Sequence, residues 1–351
     1  MKILVVFTGG TIGSVVEEGY ISPDSRKPFK LMECYHEQKA GPIQGITFDT
    51  CVPYTLLSEN LTGEYLAKLG ACVRENLRKD YDGIIVAHGT DTLQYAAAMV
   101  GYLTGSASIP VMFVSSNYVL EDERANGLDN FACAVEFITE RRGRGTFVSY
   151  RNQDNVVYIH RAARVLPHLP YSDEVYSIGD QYYGKYVKNA SQPGLLEKGI
   201  PETGEWIYKE NVEYHFLEDA DFSFEQLPRQ WNSGILRIFP YPGMEYSVIF
   251  EHVRAVMLET YHSGTLCSIT PGIWTFLESA KQQKVPVYVT GVNTEADYAS
   301  FQGFERNGKV LRNLSPVAAY VKLWLALESG EDVARVMEMN LAEDFFTLHN
   351  L

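Results

Sequence analysis

The chain contains no apolar run of 18 or more residues, so no membrane-spanning helix is expected from its 351 residues. The apolar stretch Ile3–Phe7 is too short for the core of a signal peptide, and no cleavage-site pattern follows it. Cysteine is sparse and odd in number: Cys34, Cys51, Cys72, Cys133 and Cys267 are widely scattered, with no CxxC pair. A disulfide framework and a zinc site are therefore not indicated, and reduced thiols in a cytoplasmic protein are expected. Positive charge is also in deficit. Thirty Lys and Arg against 44 Asp and Glu leave a formal charge of −14, which disfavours nucleic acid and anionic membranes as partners. No solenoid-type repeat appears. The content of 46% hydrophobic and 21% charged residues excludes a disordered chain and suits a globular one of about two domains.

The remaining pattern alternates apolar β-branched runs with helical spacing. Residues 3–7 read as a buried strand that ends at Thr8-Gly9-Gly10. Residues 61–77 read as a helix with Thr62 as N-cap, 83–87 as a strand, 93–103 as a helix and 111–114 as a strand. A helix over 126–140 and two strands over 146–150 and 156–159 follow. Residues 14–23 read as a loop. From 166 to 231 the periodicity fades into irregular structure with a possible hairpin. Seven of the 23 tyrosines lie between 171 and 214, either as aromatic cover on the first domain or as a partner surface.

A second α/β pattern starts with a strand over 235–239. It continues with a short helix near 246–253, a strand at 256–258, a helix at 272–280 and a strand at 285–290. Its last helix begins at Ser315-Pro316 and stops at Gly330. The expected fold class is therefore α/β, with a parallel-sheet domain over 1–215, a linker over 216–232 and a smaller α/β domain over 233–351.

Ligands of such sheets bind beyond the carboxyl ends of the strands. Two polar turns lie there, Thr8-Gly9-Gly10-Thr11-Ile12 and His88-Gly89-Thr90-Asp91-Thr92. The first is not G-x-G-x-x-G, and no acidic residue closes a βαβ unit about 20 residues on, so no dinucleotide cofactor is expected. The second reads by itself as a helix cap, since Asp91 and Thr92 are both good N-cap residues. Read together, two hydroxyls and a carboxylate at neighbouring strand ends suit acyl transfer through a hydroxyl nucleophile.

With these two turns in hand, the sequence resembles the bacterial-type L-asparaginase/glutaminase family, closer to its cytoplasmic type I branch. The family's TGGTI and HGTDT signatures stand unbroken at Thr8–Ile12 and His88–Thr92. The likeness continues through Asp82-Gly83-Ile84-Ile85, Ser115-Ser116-Asn117 and Arg124-Ala125-Asn126-Gly127. It extends to 259–264, 285–291 and the Ser315-Pro316 helix, and is weakest over 165–230.

The resemblance implies an asparaginase-like fold and a threonine amidohydrolase without metal or organic cofactor. Thr11 takes the place of the first nucleophile, and Tyr20 that of a loop tyrosine assisting it. Thr90 stands for the second catalytic threonine and Asp91 for the carboxylate that binds the substrate α-amine. Ser58 and Glu59 fall where the α-carboxylate and α-amine are held, and Gly10 and Gly89 flank the substrate. The family's catalytic lysine has no counterpart here. A one-residue gap brings Arg164 to its position, and without the gap the residue is Val165. Arginine stays protonated and accepts protons poorly, so slow asparagine turnover or a different amide is expected.

The resemblance also implies a homodimer or homotetramer, with the Thr294-Glu295 or His262-Ser263 loop contributing to a neighbour's site. The alternative from another class is a non-hydrolytic amino-acid binding or sensing protein. A tRNA-dependent amidotransferase component shares this domain and is ranked lower. That component carries an extra domain before the TGGTI strand, which here starts at Lys2, and the negative charge disfavours tRNA.

Overall fold

A computed structural model describes residues 1–17, 20–23, 28–37, 43–105, 107–188, 204–208, 222–247, 250–292 and 298–346. The first part of the chain runs β1 (Lys2–Phe7), β2 (Ser14–Glu17), β3 (Tyr20–Pro23), α1 (Pro28–Glu37), β4 (Thr47–Cys51), α2 (Gly63–Asn76) and β5 (Gly83–Ala87). It continues with α3 (Leu93–Thr104), β6 (Pro110–Val114), α4 (Gly127–Thr139), β7 (Gly145–Arg151), β8 (Val157–Arg161), β9 (Gly184–Lys188) and β10 (Gly204–Tyr208). The second part runs β11 (Ile235–Ile238), β12 (Ala255–Glu259), α5 (Pro271–Gln282), β13 (Val287–Val292), α6 (Gln302–Asn307), β14 (Lys309–Arg312), α7 (Pro316–Ser329) and α8 (Val333–Glu338).

Among the described residues the larger sheet has the order β10-β9-β8-β7-β6-β5-β1-β4. The strands from β4 to β7 are mutually parallel, whereas β8, β9 and β10 join antiparallel. The apolar runs of β1, β5 and β6 are buried on both faces, as central parallel strands require. Leu4, Val6, Ile84 and Val86 face α2 and α3, while Ile3, Val5, Ile85 and Met112 face α1 and α4. The smaller sheet, β11-β12-β13-β14, is parallel throughout. One of its faces packs on α5 and α6, and the other contributes Ala255, Met257 and Tyr288 to the core shared with α3 and α7. Within that shared core, Lys322 and Asp344 form a fully buried ion pair at 2.9 Å, and Tyr102 donates to the same carboxylate at 2.7 Å.

The α/β class with a second, smaller sheet agrees with the sequence reading, but several elements differ. Residues 14–17 and 20–23 form an antiparallel hairpin, with Glu17 opposite Tyr20, and not a loop. Helix α1 and edge strand β4 are elements that the sequence pattern does not announce. The helix expected near 246–253 does not form among the residues described there. Its apolar side chains instead dress α5, with Tyr246 and Phe250 against the Phe276 ring. Thr62 stands at the N-cap of α2 but its hydroxyl makes no cap bond, whereas Ser315 accepts from the Ala318 amide at 3.0 Å as expected. None of the five cysteines forms a disulfide among the described residues, and Cys51 Sγ lies 3.3 Å from Cys72 Sγ.

The chain leaves β1, returns on one side as β4, then crosses through α2 to pair on the other side as β5. Strand order therefore reverses at β1, and the crevice of a doubly wound sheet opens between β1 and β5. The turns after these strands touch: a Cβ on Gly10 would lie 2.2 Å from Gly89 Cα, and one on Gly89 would lie 2.4 Å from Ser58 Oγ. Gly10 also holds φ at 75°, a region that penalises other residues. We expect Gly89→Ala to destabilise the protein by about 1–3 kcal/mol through overpacking, and Gly10→Ala by more because backbone strain adds to the clash. Urea unfolding of both variants checks this, and wild-type stability in Gly10→Ala contradicts it.

Candidate active site

The carboxyl end of β1 is zipped on both sides. Thr8 donates to Ala87 O from its amide at 3.1 Å and from Oγ1 at 2.9 Å. On the other side the Gly10 amide donates to Leu56 O at 3.0 Å, and the Leu56 amide to Thr8 O at 3.2 Å. The segment 56–60 is thereby drawn against the glycine turn. The Thr92 hydroxyl donates to Ser58 O at 3.0 Å and ties the same segment to the His88–Thr92 turn. Thr92 does occupy the N-cap position of α3, yet its side chain makes no cap bond because it bridges to Ser58 instead. Three turns, carrying Thr11, Ser58-Glu59 and Thr90-Asp91, are thus held together by backbone and hydroxyl hydrogen bonds.

The floor beneath them is polar and well satisfied. His88 is buried, and its Nδ1–H donates to Gly89 O at 2.8 Å. Burial pushes its pKa down to about 4, so it is a neutral spacer and not a charge. Ser115 Oγ donates to His88 O at 2.7 Å, Asn130 Nδ2 to Ser115 O at 2.8 Å, and Ser149 Oγ to Asn130 O at 3.0 Å. This relay ties the ends of β5, β6 and β7 together. Asn117 and Asn126 exchange side-chain-to-amide bonds at 3.0 and 3.2 Å, which fixes the loop before α4. Thr11 and Thr90 are partly exposed above this floor, Ser58 is buried, and Glu59 and Asp91 are exposed.

Comparison with known proteins bears on this arrangement. Residues 2–168 match the family model "Asparaginase, N-terminal". Over these residues the chain is similar to that amino-terminal domain. The asparaginase fold extends over the whole chain. The thermostable L-asparaginase from Thermococcus kodakarensis superposes with a TM-score of 0.71 at 21% identity, covering 99% of this chain and all of that one. L-asparaginase I from Vibrio cholerae gives 0.67 at 20% identity, with 99% of each chain covered. Among curated relatives, a glutamyl-tRNA(Gln) amidotransferase component from Methanobrevibacter smithii is 24% identical over 98% of this chain and 77% of its own length. The protein of the same name from Haloquadratum walsbyi is 33% identical over 37% of this chain and 30% of its own length.

On this asparaginase scaffold the sequence-derived residues fall into two groups. Gly10, Thr11, Ser58, Glu59, Gly89, Thr90 and Asp91 sit on the three turns that meet at the switch point. Tyr20 lies on the β2–β3 hairpin, 76% exposed, and makes no hydrogen bond to those turns among the described residues. Arg164 lies on the short helical turn after β8. Its guanidinium is buried and donates to Glu343 O at 2.8 Å, to Phe345 O at 2.6 Å and to Gln181 Oε1 at 3.4 Å. These bonds clamp the carboxy-terminal segment. Thr294 and Glu295 lie outside the described residues, and His262 is exposed on the turn after β12.

One residue near the site carries no sequence signal. His168 lies in a proline-flanked, aperiodic stretch, and only the tertiary path after β8 brings it within electrostatic reach of Asp91. Among the described residues no group of three or more His, Cys, Asp or Glu is arranged to hold a metal ion, and no helix is long and apolar enough to cross a membrane.

The clamp assignment has a measurable consequence. Arg164→Lys removes the planar fork and loses at least one of the bonds to the carboxy-terminal segment. Hydrogen bonds of charged donors contribute about 1.5–3 kcal/mol each, so stability should drop by that order without any gain in turnover. Chemical denaturation beside an activity assay checks it, and an unchanged midpoint with raised kcat would restore Arg164 to a place beside Thr90.

Proposed function

We propose that this chain is an amidohydrolase that converts L-asparagine, or a related side-chain amide, to L-aspartate and ammonia through Thr11. The observation that supports this best is the backbone contact of Gly10 with Gly89, which sets the hydroxyls of Thr11 and Thr90 on adjoining turns at the switch point. A hydroxyl nucleophile splits amide hydrolysis into two easier steps. Thr11 Oγ attacks the side-chain carbonyl, the C–N bond breaks, and the amide nitrogen leaves as ammonia after gaining a proton. Water then attacks the Thr11 ester, releases the acid and returns the hydroxyl. Exposed Glu59 and Asp91 suit the α-ammonium of the substrate, and Ser58 suits its α-carboxylate.

The names of the curated relatives favour one second reading, in which the amide cleaved is that of glutamine and the ammonia serves an amidotransferase. Ammonia release from L-asparagine, L-glutamine and their N-acylated analogues separates the readings. We expect release from at least one free amino acid, its loss in a folded Thr11→Val variant, and weaker binding of free amino acids in Glu59→Gln and Asp91→Asn. Losing one partner of a desolvated charge pair costs on the order of 2–5 kcal/mol, whereas the N-acylated analogues have no ammonium to lose. Full turnover in folded Thr11→Val overturns the nucleophile assignment. Ligand-induced stabilisation without ammonia marks a binding protein instead.

The reading includes a homodimer or homotetramer in which the exposed His262 turn meets a neighbour's site. Light scattering should then give a multiple of the 39.6 kDa chain mass. A fully active particle of the single-chain mass refutes this assembly.

A further inference from the structure

Strand β4 ends at Cys51 and forms an edge of the larger sheet among the described residues. From Cys51 the chain runs through Leu56, Ser58 and Glu59 into α2, which carries Cys72. The turn that bears Ser58 and Glu59 is therefore bracketed by two cysteines. Their sulfurs lie 3.3 Å apart, although 21 positions separate them in the chain. A disulfide closes at about 2.05 Å, so the pair stands little more than an ångström short of a bond. Both side chains are partly exposed and pack against the core that includes Leu4, Val6, Leu69 and Val73. They also line a groove of about 850 Å³, together with Asp49, Lys68, Glu75 and Tyr81. Solvent and small solutes reach the pair through this groove.

We infer that Cys51 and Cys72 are a thiol-oxidation site for hydroperoxides, closing reversibly to a disulfide that staples the Ser58–Glu59 turn. The site is separate from the proposed amide chemistry and does not depend on it. In the first step Cys51 Sγ attacks one peroxide oxygen. The S–O bond forms, the O–O bond breaks, and the leaving oxygen takes the thiol proton to become an alcohol, or water when the oxidant is hydrogen peroxide. Cys51 is then a sulfenic acid. In the second step Cys72 Sγ attacks Cys51 Sγ, the S–S bond forms and the S–O bond breaks. The departing hydroxide takes the Cys72 proton and leaves as water. Two electrons pass from the sulfurs to the peroxide, and a dithiol reductant returns them by exchange.

The order of the two sulfurs follows from their surroundings. Burial first, then the hydrogen bond and charge of Cys51, push the Cys72 thiol up to about 12. Cys72 is thus protonated near neutrality and is the poorer nucleophile toward an oxidant, which leaves Cys51 to react first. Asn76 Nδ2 donates to Cys72 O at 2.7 Å and reaches Cys72 Sγ at 3.8 Å, anchoring that side of the pair. Cys51 stands in parallel register with Val6 of β1, so its backbone is held by the sheet. With both backbones fixed, the step between the two sulfurs is intramolecular and is favoured over attack on a second oxidant molecule. Closing the ring constrains the residues between the two cysteines. These include Leu56, whose bonds to Thr8 and Gly10 draw the turn against β1.

The test treats the full chain, reduced and freed of reductant, with a small excess of hydrogen peroxide, followed by alkylation and peptide mapping. Wild type should yield a peptide pair linked through Cys51 and Cys72, lighter than the two thiol peptides by two hydrogen atoms. Dithiothreitol should restore both thiols. Cys72→Ser should stop after the first step, with Cys51 trapped by a 1,3-diketone that labels sulfenic acids, whereas Cys51→Ser should leave Cys72 unlabelled. In oxidised wild type, amide hydrogen exchange over 56–61 should slow relative to the reduced protein. Separate alkylation of Cys51 and Cys72 after peroxide, a link from either to another cysteine, or oxidation of Cys51 past the sulfenic stage in wild type overturns the site. A link that forms without slowing exchange over 56–61 overturns the stapling of the turn. None of these readings uses ammonia release, so they stand or fall separately from the amidohydrolase reading.

Discussion

The contact between the backbones of Gly10 and Gly89 is the constraint on which the rest of the site depends. Neighbouring strands of a sheet lie about 4.8 Å apart, and the turns that leave them usually splay to make room for side chains. Here neither turn carries a side chain at the point of contact, so the two stay as close as their strands. Each hydroxyl-bearing residue directly follows the contacting glycine, which keeps Thr11 and Thr90 in register. The glycines thus serve proximity, and the same absence of Cβ admits Ser58 from the third turn. A phosphate cradle would instead need backbone amides aimed at an anion from a helix N-terminus, and the residues after Gly13 form a hairpin.

The polarity of the site follows from which groups burial has silenced. His88, in the turn after β5, and His160, on β8, are buried and held neutral by desolvation. Glu59 and Asp91 stay at the surface of the crevice. The turns therefore present exposed carboxylates above a buried, neutral His88. The overall charge of −14 adds a background field of the same sign.

The parts of the fold that are legible in the sequence are those where burial on two faces imposes long apolar runs. Strands β1, β5 and β6 and helices α3 and α7 are of this kind, and so are the glycine-threonine turns that end β1 and β5. Legibility fails where burial is partial. Strand β4 is a half-exposed edge with the sequence TFDTC, and its pattern carries little alternation. The hairpin of β2 and β3 has only four residues a side. The aromatic spacing at 246–250 suggests a helix because Tyr246 and Phe250 do share a neighbour, but that neighbour is Phe276 on α5. Arg164 and His168 show the same limit at the site. The bonds that hold Arg164 run to residues about 180 positions away, and local sequence carries no trace of such partners.

Those distant bonds tie the carboxy-terminal segment to the amino-terminal sheet. Arg161 bonds Glu343 at 2.7 Å, Arg164 bonds the carbonyls of Glu343 and Phe345, and Asp344 between them is locked by Lys322 and Tyr102. A buried ion pair offers little net stability over an apolar pair, but removing one partner costs about 3–5 kcal/mol, so the arrangement enforces one geometry. Residues 161–164 are therefore fastened at one end to α7 and its following segment, and the Val165–Ser177 bridge fastens the other. His168 lies four residues beyond Arg164 on this doubly held strap. A change in the last dozen described residues should thus reach the crevice through the strap, and the two sheets act as one support for the site.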